Sequence, residues 1–138
     1  MEALIAIDPG KTTGWALFMG GKLCVAAPSV QSASIAGPFE VIIELPRIYP
    51  GGGKGDPNDI VDLAVLVGKF AERYKSGTVH LVTPRQWKGN VPKKIHQPRI
   101  LKKLSPEELA VMPKRPRAKD YDHNMVDAVG LGLFHLGR

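Results

Sequence analysis

Residues 3–8 read ALIAID. Five apolar positions in succession, closed by an acid, form the pattern of a strand covered on both faces. The next two apolar stretches, at about 13–19 and 22–27, flank Gly20-Gly21 and predict an antiparallel hairpin. A polar stretch rich in Ser and Ala follows. Phe39 to Leu45 then predicts a fourth strand, which Pro46 stops. Residues 46–57, PRIYPGGGKGDP, hold too much Gly and Pro for regular structure. Asp56-Pro57 supplies an N-cap and a favoured first helical residue. Ile60, Leu63, Ala64, Val67, Phe70 and Tyr74 recur at helical spacing, so an amphipathic helix is expected over about 57–75, ended by Gly77.

Residues 78–83 predict a fifth strand. Short helices are expected at about 98–104 and 106–112. The second has a capping box, Ser105-x-x-Glu108, with Pro106 in its first turn and Pro113 beyond its end. The closing helix begins near Asp122 and carries Met125, Val126, Val129, Leu133, Phe134 and Leu136. No internal repeat and no domain boundary interrupts this order. The expectation is a single α/β domain over residues 1–138, built on a mixed five-stranded sheet flanked by helices.

Composition narrows the class. With 138 residues and 43% hydrophobic content, the chain suffices for one covered sheet. No apolar run approaches the ~20 residues of a membrane span, and Glu2 stands where a signal peptide would carry positive charge. The single Cys24, between Leu23 and Val25, is expected to be buried in its strand, as is Trp15. A disulfide scaffold is excluded, and a cytoplasmic setting fits.

The net charge of +6 is unevenly placed. Through Thr83 there are 7 basic residues against 8 acidic ones, whereas from Pro84 to Lys119 there are 11 against 2. Such a segment is the footprint of a polyanionic partner or, in the plainer reading, a solvated lysine-rich face. Prolines at 84, 92, 98, 106, 113 and 116 argue against a long basic amphipathic helix lying on a membrane.

The stretch DPGKTTG at 8–14 contains a Gly-Lys-Thr, but it is not a phosphate-binding P-loop. That loop needs a glycine at position 5, which is Ile, and a helix afterwards, where GWALF reads as a strand. The acids are more informative. Asp8 ends the first strand, Glu44 lies near the end of the fourth, and Asp127 falls in the first turns of the last helix. If the two strands are neighbours, the three carboxylates converge at one sheet edge and repel one another unless a cation is present. Hard oxygen ligands suit Mg²⁺ or Mn²⁺, and two such ions can align a water and a leaving oxygen across a phosphodiester. Each acid also has a plainer reading: Asp8 caps the Pro9-Gly10 turn, Glu44 faces solvent, or Asp127 complements a helix N-terminus. Glu44 fits its plain reading least, because Val41, Ile42, Ile43 and Leu45 imply burial.

In chain order, IAIDPGKTTGWALF, VIIELP, VTPRQWKGNVPKK and DHNMVDAVGLGL resemble successive segments of RuvC-type Holliday junction resolvases. These are the opening hairpin with its aspartate, the glutamate strand, the strand and basic segment after the long helix, and the C-terminal helix. The resemblance covers nearly the whole chain. It implies an RNase H-like fold and a two-metal nuclease that nicks four-way DNA junctions symmetrically as a homodimer. On that likeness Asp8, Glu44 and Asp127 are metal ligands. The family position three residues before the last aspartate is Asn124 here, so Asn124 and His123 are both candidates for the fourth role, with Asp122 in reserve as ligand or N-cap. The chain is short for the family, which suits a phage-type variant acting in an infected cell's cytoplasm.

Lys88, Lys93, Lys94, Arg99, Lys102 and Lys103 are candidate phosphate contacts, with Lys114, Arg115 and Arg117 nearer the last helix. Tyr49 is the candidate for an aromatic wedge in the junction, in a loop that also offers Lys54. Trp87 is a core residue or a base-stacking one. The helix over 57–75 is the expected dimer interface, because Val61, Val65 and Leu66 add apolar surface beyond one buried stripe. Two other readings stand beside the resolvase: another RNase H-like nuclease acting on branched DNA or RNA–DNA hybrids, and a non-catalytic DNA-binding module. An actin-like ATPase is excluded, since it needs two such lobes.

Overall fold

The computed structural model describes residues 2–48 and 55–138. Tyr49, Lys54 and the glycines between them lie outside the described residues. The elements are β1 (Ala3–Asp8), β2 (Gly14–Met19), β3 (Lys22–Ala27), β4 (Phe39–Glu44), α1 (Pro57–Arg73), β5 (Thr78–Val82), α2 (Pro84–Lys88), α3 (Lys93–Lys102), α4 (Pro106–Ala110) and α5 (His123–Leu136). The five strands form one sheet in the order β3-β2-β1-β4-β5. β1, β2 and β3 run antiparallel in succession, while β4 is parallel to β1 and β5 to β4.

β1 is central and buried at every position, as its unbroken apolar run requires. Its side chains alternate between two layers. Leu4 and Ala6, with Ala16, Phe18 and Ile42, face the layer that holds α5 and α3. Ile5 and Ile7, with Trp15, Val41 and Ile43, face α1 through Val67 and Phe70. α5 sits unusually close to the sheet, because a Cβ at Gly132 would come within 2.2 Å of the Phe18 ring. Among the described residues no helix is long and apolar enough to cross a membrane.

Three expectations need correction. Cys24 is exposed. The pairing passes from Leu17↔Val25 to Phe18↔Leu23, so Cys24 is the extra residue of a β-bulge and turns outward while Leu23 takes the inward position. A short helix, α2, occupies residues 84–88 where none was expected, started at Thr83, whose N–H donates to Gln86 Oε1 at 2.7 Å. The third concerns α3, which begins at Lys93 rather than near 98 and carries Pro98 inside it. The lost backbone bond is offset by packing. Ile100 is buried against Gly130 of α5, where a Cβ would fall 2.4 Å from Ile100 Cδ1.

Candidate metal centre and the basic groove beside it

Two parallel strands place the first two acids. The β1–β4 register runs from Ala3↔Phe39 to Ile7↔Ile43, so Asp8 and Glu44 take the next step side by side. Both are even-numbered, as are Leu4, Ala6 and Ile42, and therefore both point to the α5 layer. Asp127 approaches from α5. Asp122 caps that helix, accepting a bond of 3.0 Å from Met125 N. The first turn presses on the hairpin: a Cβ at Gly14, opposite Asp8, would lie 1.8 Å from the Asn124 carbonyl oxygen. Only glycine permits this approach, which brings Asp127 to the strand ends. Asp8 and Asp127 are 5% and 3% exposed, although both are acids.

Such burial has an electrostatic cost. Burial first, then the charges of Glu44 and Asp127, push the Asp8 carboxyl up to about 8, against the opposing pull of Lys88 and Lys93. Burial also raises Glu44, and the Lys88 charge and a hydrogen bond from Trp87 oppose it. The Lys88 ammonium lies 3.7 Å from Asp127 Oδ2 and 3.9 Å from Glu44 Oε2. Trp87 Nε1 donates to Glu44 Oε2 at 2.7 Å. The Lys88 ammonium beside Glu44 and Asp127 leaves the site negative, more so once Asp8 loses its proton, and the ligand atoms offered by the acids are all oxygen. That donor set fits a hard divalent cation such as Mg²⁺ or Mn²⁺.

Around the acids lies a layer of polar contacts. Gln97 of α3 donates to Asp127 Oδ1 at 3.1 Å and to the His123 carbonyl at 3.0 Å, and its own oxygen lies 3.2 Å from His123 Nδ1. His123 is thus tied to Asp127 through Gln97. Asn124 donates its amide to the Thr12 carbonyl at 2.6 Å and to the Thr12 hydroxyl at 2.8 Å. Trp87 is buried, so the core reading holds for its ring, while its N–H serves Glu44. His96 packs edge-on to Trp87 at 4.9 Å, and burial holds its imidazole below the usual range.

The basic residues divide into three groups. Lys88 lies among the acids, and Lys93 and Lys94 line a groove of about 500 Å³ together with Gln97, Lys119, Tyr121 and His123. Arg99, Lys102 and Lys103 lie exposed on α3 and just after it, with Lys103 Nζ 3.3 Å from the Arg138 carbonyl. Farther along, Arg115 pairs with Asp120, Lys114 lies 5.9 Å from the Tyr121 ring centre, and Arg117 has φ 61°. Sequence reasoning missed Gln97 and the bond from Trp87, and it read Lys88 only as a phosphate contact. No local signal marks these contacts: Trp87 and Glu44 are 43 positions apart, and Gln97 and Asp127 are 30.

No protein-family model matches the sequence, and no curated protein matches it either. Solved structures do. The chain is similar to Thermus thermophilus RuvC in complex with a Holliday junction substrate, with a TM-score of 0.59 and 16% identity over 99% of this chain and 93% of that one. A second Thermus thermophilus RuvC structure matches with a TM-score of 0.54 and 16% identity, over 97% of this chain and 93% of that one. The expected RNase H-like mixed sheet is therefore the fold of this chain, and it is the RuvC form of that fold.

Proposed function

We propose that the chain is a metal-dependent, structure-selective endodeoxyribonuclease that resolves four-way DNA junctions by paired symmetric nicks. The observation that carries this reading is the convergence of Asp8, Glu44 and Asp127 at one sheet end, in a chain with the RuvC fold. The three carboxylates would hold two Mg²⁺ or Mn²⁺ ions, which when bound supply charge neutralisation at the phosphodiester and an activated water. The chain's own groups prepare this site. Trp87 fixes one oxygen of Glu44, and Gln97 fixes one oxygen of Asp127. Lys88 neutralises part of the acids' charge and stands where an incoming phosphate would meet it. Asp122 is engaged as the helix cap, so His123 and Asn124 are the remaining candidates for the fourth role. The Asn124 amide N–H is committed to Thr12, which leaves its carbonyl oxygen as the donor it can offer.

DNA would lie along the groove walled by Lys93 and Lys94 and extend over Arg99, Lys102 and Lys103, releasing counterions as phosphates are neutralised. Lys114, Arg115 and Arg117 would guide the strand toward Asp127. In this reading the whole chain acts as one nuclease unit in the cytoplasm and pairs through α1 as a homodimer. Tyr49 is its wedge and Lys54 an added phosphate contact.

Cleavage of a four-way junction, a linear duplex and an RNA–DNA hybrid, each with and without Mg²⁺, tests the proposal. The expected result is Mg²⁺-dependent paired nicking of the junction alone. Asp8→Asn, Glu44→Gln and Asp127→Asn should lose more than about 100-fold in rate, beyond the range seen for outer-shell metal partners, while still binding the junction. Cleavage confined to the hybrid would assign the chain to another RNase H-like activity. Junction binding without cleavage in any metal would make it a binding module.

A further inference from the structure

β4 and α5 meet at a second place. Glu40 precedes Glu44 by four residues, faces the same layer, and lies about 13 Å away along the strand at 3.3 Å per residue. His135 follows Asp127 by eight residues, about 12 Å along the helix at 1.5 Å per residue. The spans agree, so the strand and helix that bring acids together at one end bring Glu40 and His135 together at the other. β5 adds His80, which pairs with Ile42 on the sheet edge.

Glu40 Oε1 is 2.9 Å from His80 Nε2 and 3.4 Å from His135 Nε2, and the three ligand atoms all lie within 4.8 Å of one another. The imidazole rings are 4.7 Å apart at 46°. A tetrahedral ion with bonds of about 2.0–2.1 Å holds its ligand atoms roughly 3.3–3.4 Å apart, so small rotations close this geometry on a cation. The hydrogen bond from His80, the largest influence on Glu40, holds that carboxyl below the usual glutamate range, so it is ionised. Side-chain exposures of 38%, 42% and 21% for His80, Glu40 and His135 leave one side open for a water as fourth ligand. Two imidazoles and one carboxylate suit Zn²⁺ and its neighbours, whereas the all-oxygen acids at the other end suit Mg²⁺.

We propose that Glu40, His80 and His135 form a separate site for a zinc-class divalent cation, which ties the edge strand β5 and the end of α5 to β4. The site is independent of the nuclease reading. Its test is Co²⁺ titration of metal-free protein, followed by displacement with Zn²⁺. The protein used is the Asp8→Asn/Asp127→Asn double variant, which silences the acid centre. We expect one equivalent per chain with the visible absorption of tetrahedral cobalt, and a rise in Tm on adding Zn²⁺. Glu40→Gln, His80→Asn and His135→Asn, each in that background and checked for native circular dichroism, should weaken binding by roughly tenfold or more. Glu40→Gln keeps shape and volume at a half-exposed position, so it reports on ligation even if a histidine variant unfolds. Absence of stoichiometric Co²⁺ or Zn²⁺ binding in the double variant would overturn the proposal. So would binding that Glu40→Gln leaves unchanged.

Discussion

Asp8 is the residue at which the needs of the fold and of the site conflict. Its strand position buries it, and its neighbours are acids, so its carboxyl is pushed up from 3.8 to about 8. The folded chain therefore holds a proton that the unfolded chain has already released between those two values. Stability falls as pH rises through that window, because the native state binds more protons than the unfolded one. Asp8→Asn removes the penalty. In metal-free buffer at about pH 9 the variant should melt above the wild type, by roughly 4 °C for each kcal/mol relieved in a chain of this size. At about pH 4 the two should coincide. Mg²⁺ should raise the wild type more than the variant. Thermal melts across pH, with and without Mg²⁺, check this, and a gap between variant and wild type that does not widen from about pH 5 to 9 in chelator would contradict the origin assigned to the shift.

Among the elements, α4 shows how a local signal acquires a tertiary role. Its capping box, Ser105 with Glu108, is formed as the spacing requires, with bonds of 3.1 Å in both directions. The same Glu108 carboxylate also accepts two bonds of 2.8 Å from Arg138 and one of 2.8 Å from Leu23 N. A side chain that starts one short helix therefore fastens that helix to β3 and to Arg138, two residues past the end of α5. The Arg138 bonds chiefly hold Glu108 down to about 2, against an ordinary value of 4.5. This contribution to stability is complete above about pH 4.5 and is lost as pH falls toward 2. Glu108→Ala removes the buried carboxylate that holds Arg138 and Leu23 N, and it should cost about 1–3 kcal/mol at neutral pH. Urea unfolding at pH 7 and at acid pH should show the gap between variant and wild type closing as the carboxylate is protonated. An unchanged gap would point to lost packing instead.

For the whole molecule, the outer face of α1 bears on assembly. Its buried residues are Val67 and Phe70, and Leu66 packs partly against the same core. Val61 and Val65 are 59% and 55% exposed, one helical turn apart. Leu66 thus belongs largely to the chain's own core, and the apolar surface left for a second copy is narrower than the periodicity implied. A homodimer with this face at its centre predicts that Val61→Glu/Val65→Glu sediments as a monomer at micromolar concentration, keeps its Tm within about 1 °C, and nicks one strand at a time. A double variant that remains dimeric would place the interface elsewhere.

Much of this architecture was legible in the sequence, because its signals are local. The all-apolar run of β1, the Gly20-Gly21 hairpin, the Asp56-Pro57 start of α1 and the Ser105–Glu108 box each act within a few residues, where propensity and period decide. The placement of Asp8, Glu44 and Asp127 at element ends could be anticipated from the same periods. Contacts across long separations could not. Trp87 on Glu44, Gln97 between His123 and Asp127, and Lys88 between two carboxylates depend on how α2 and α3 dock on α5. That docking is decided by close packing at Gly130, and by the matching approach of the α5 start at Gly14. Cys24 turned outward because one extra residue in β3 shifts the register, a choice made between two strands and not within either. Local chemistry determined which elements form and where the acids stand along them. Only the tertiary structure decided which side chains meet, because surface complementarity between distant segments selects those contacts and leaves no trace in sequence period.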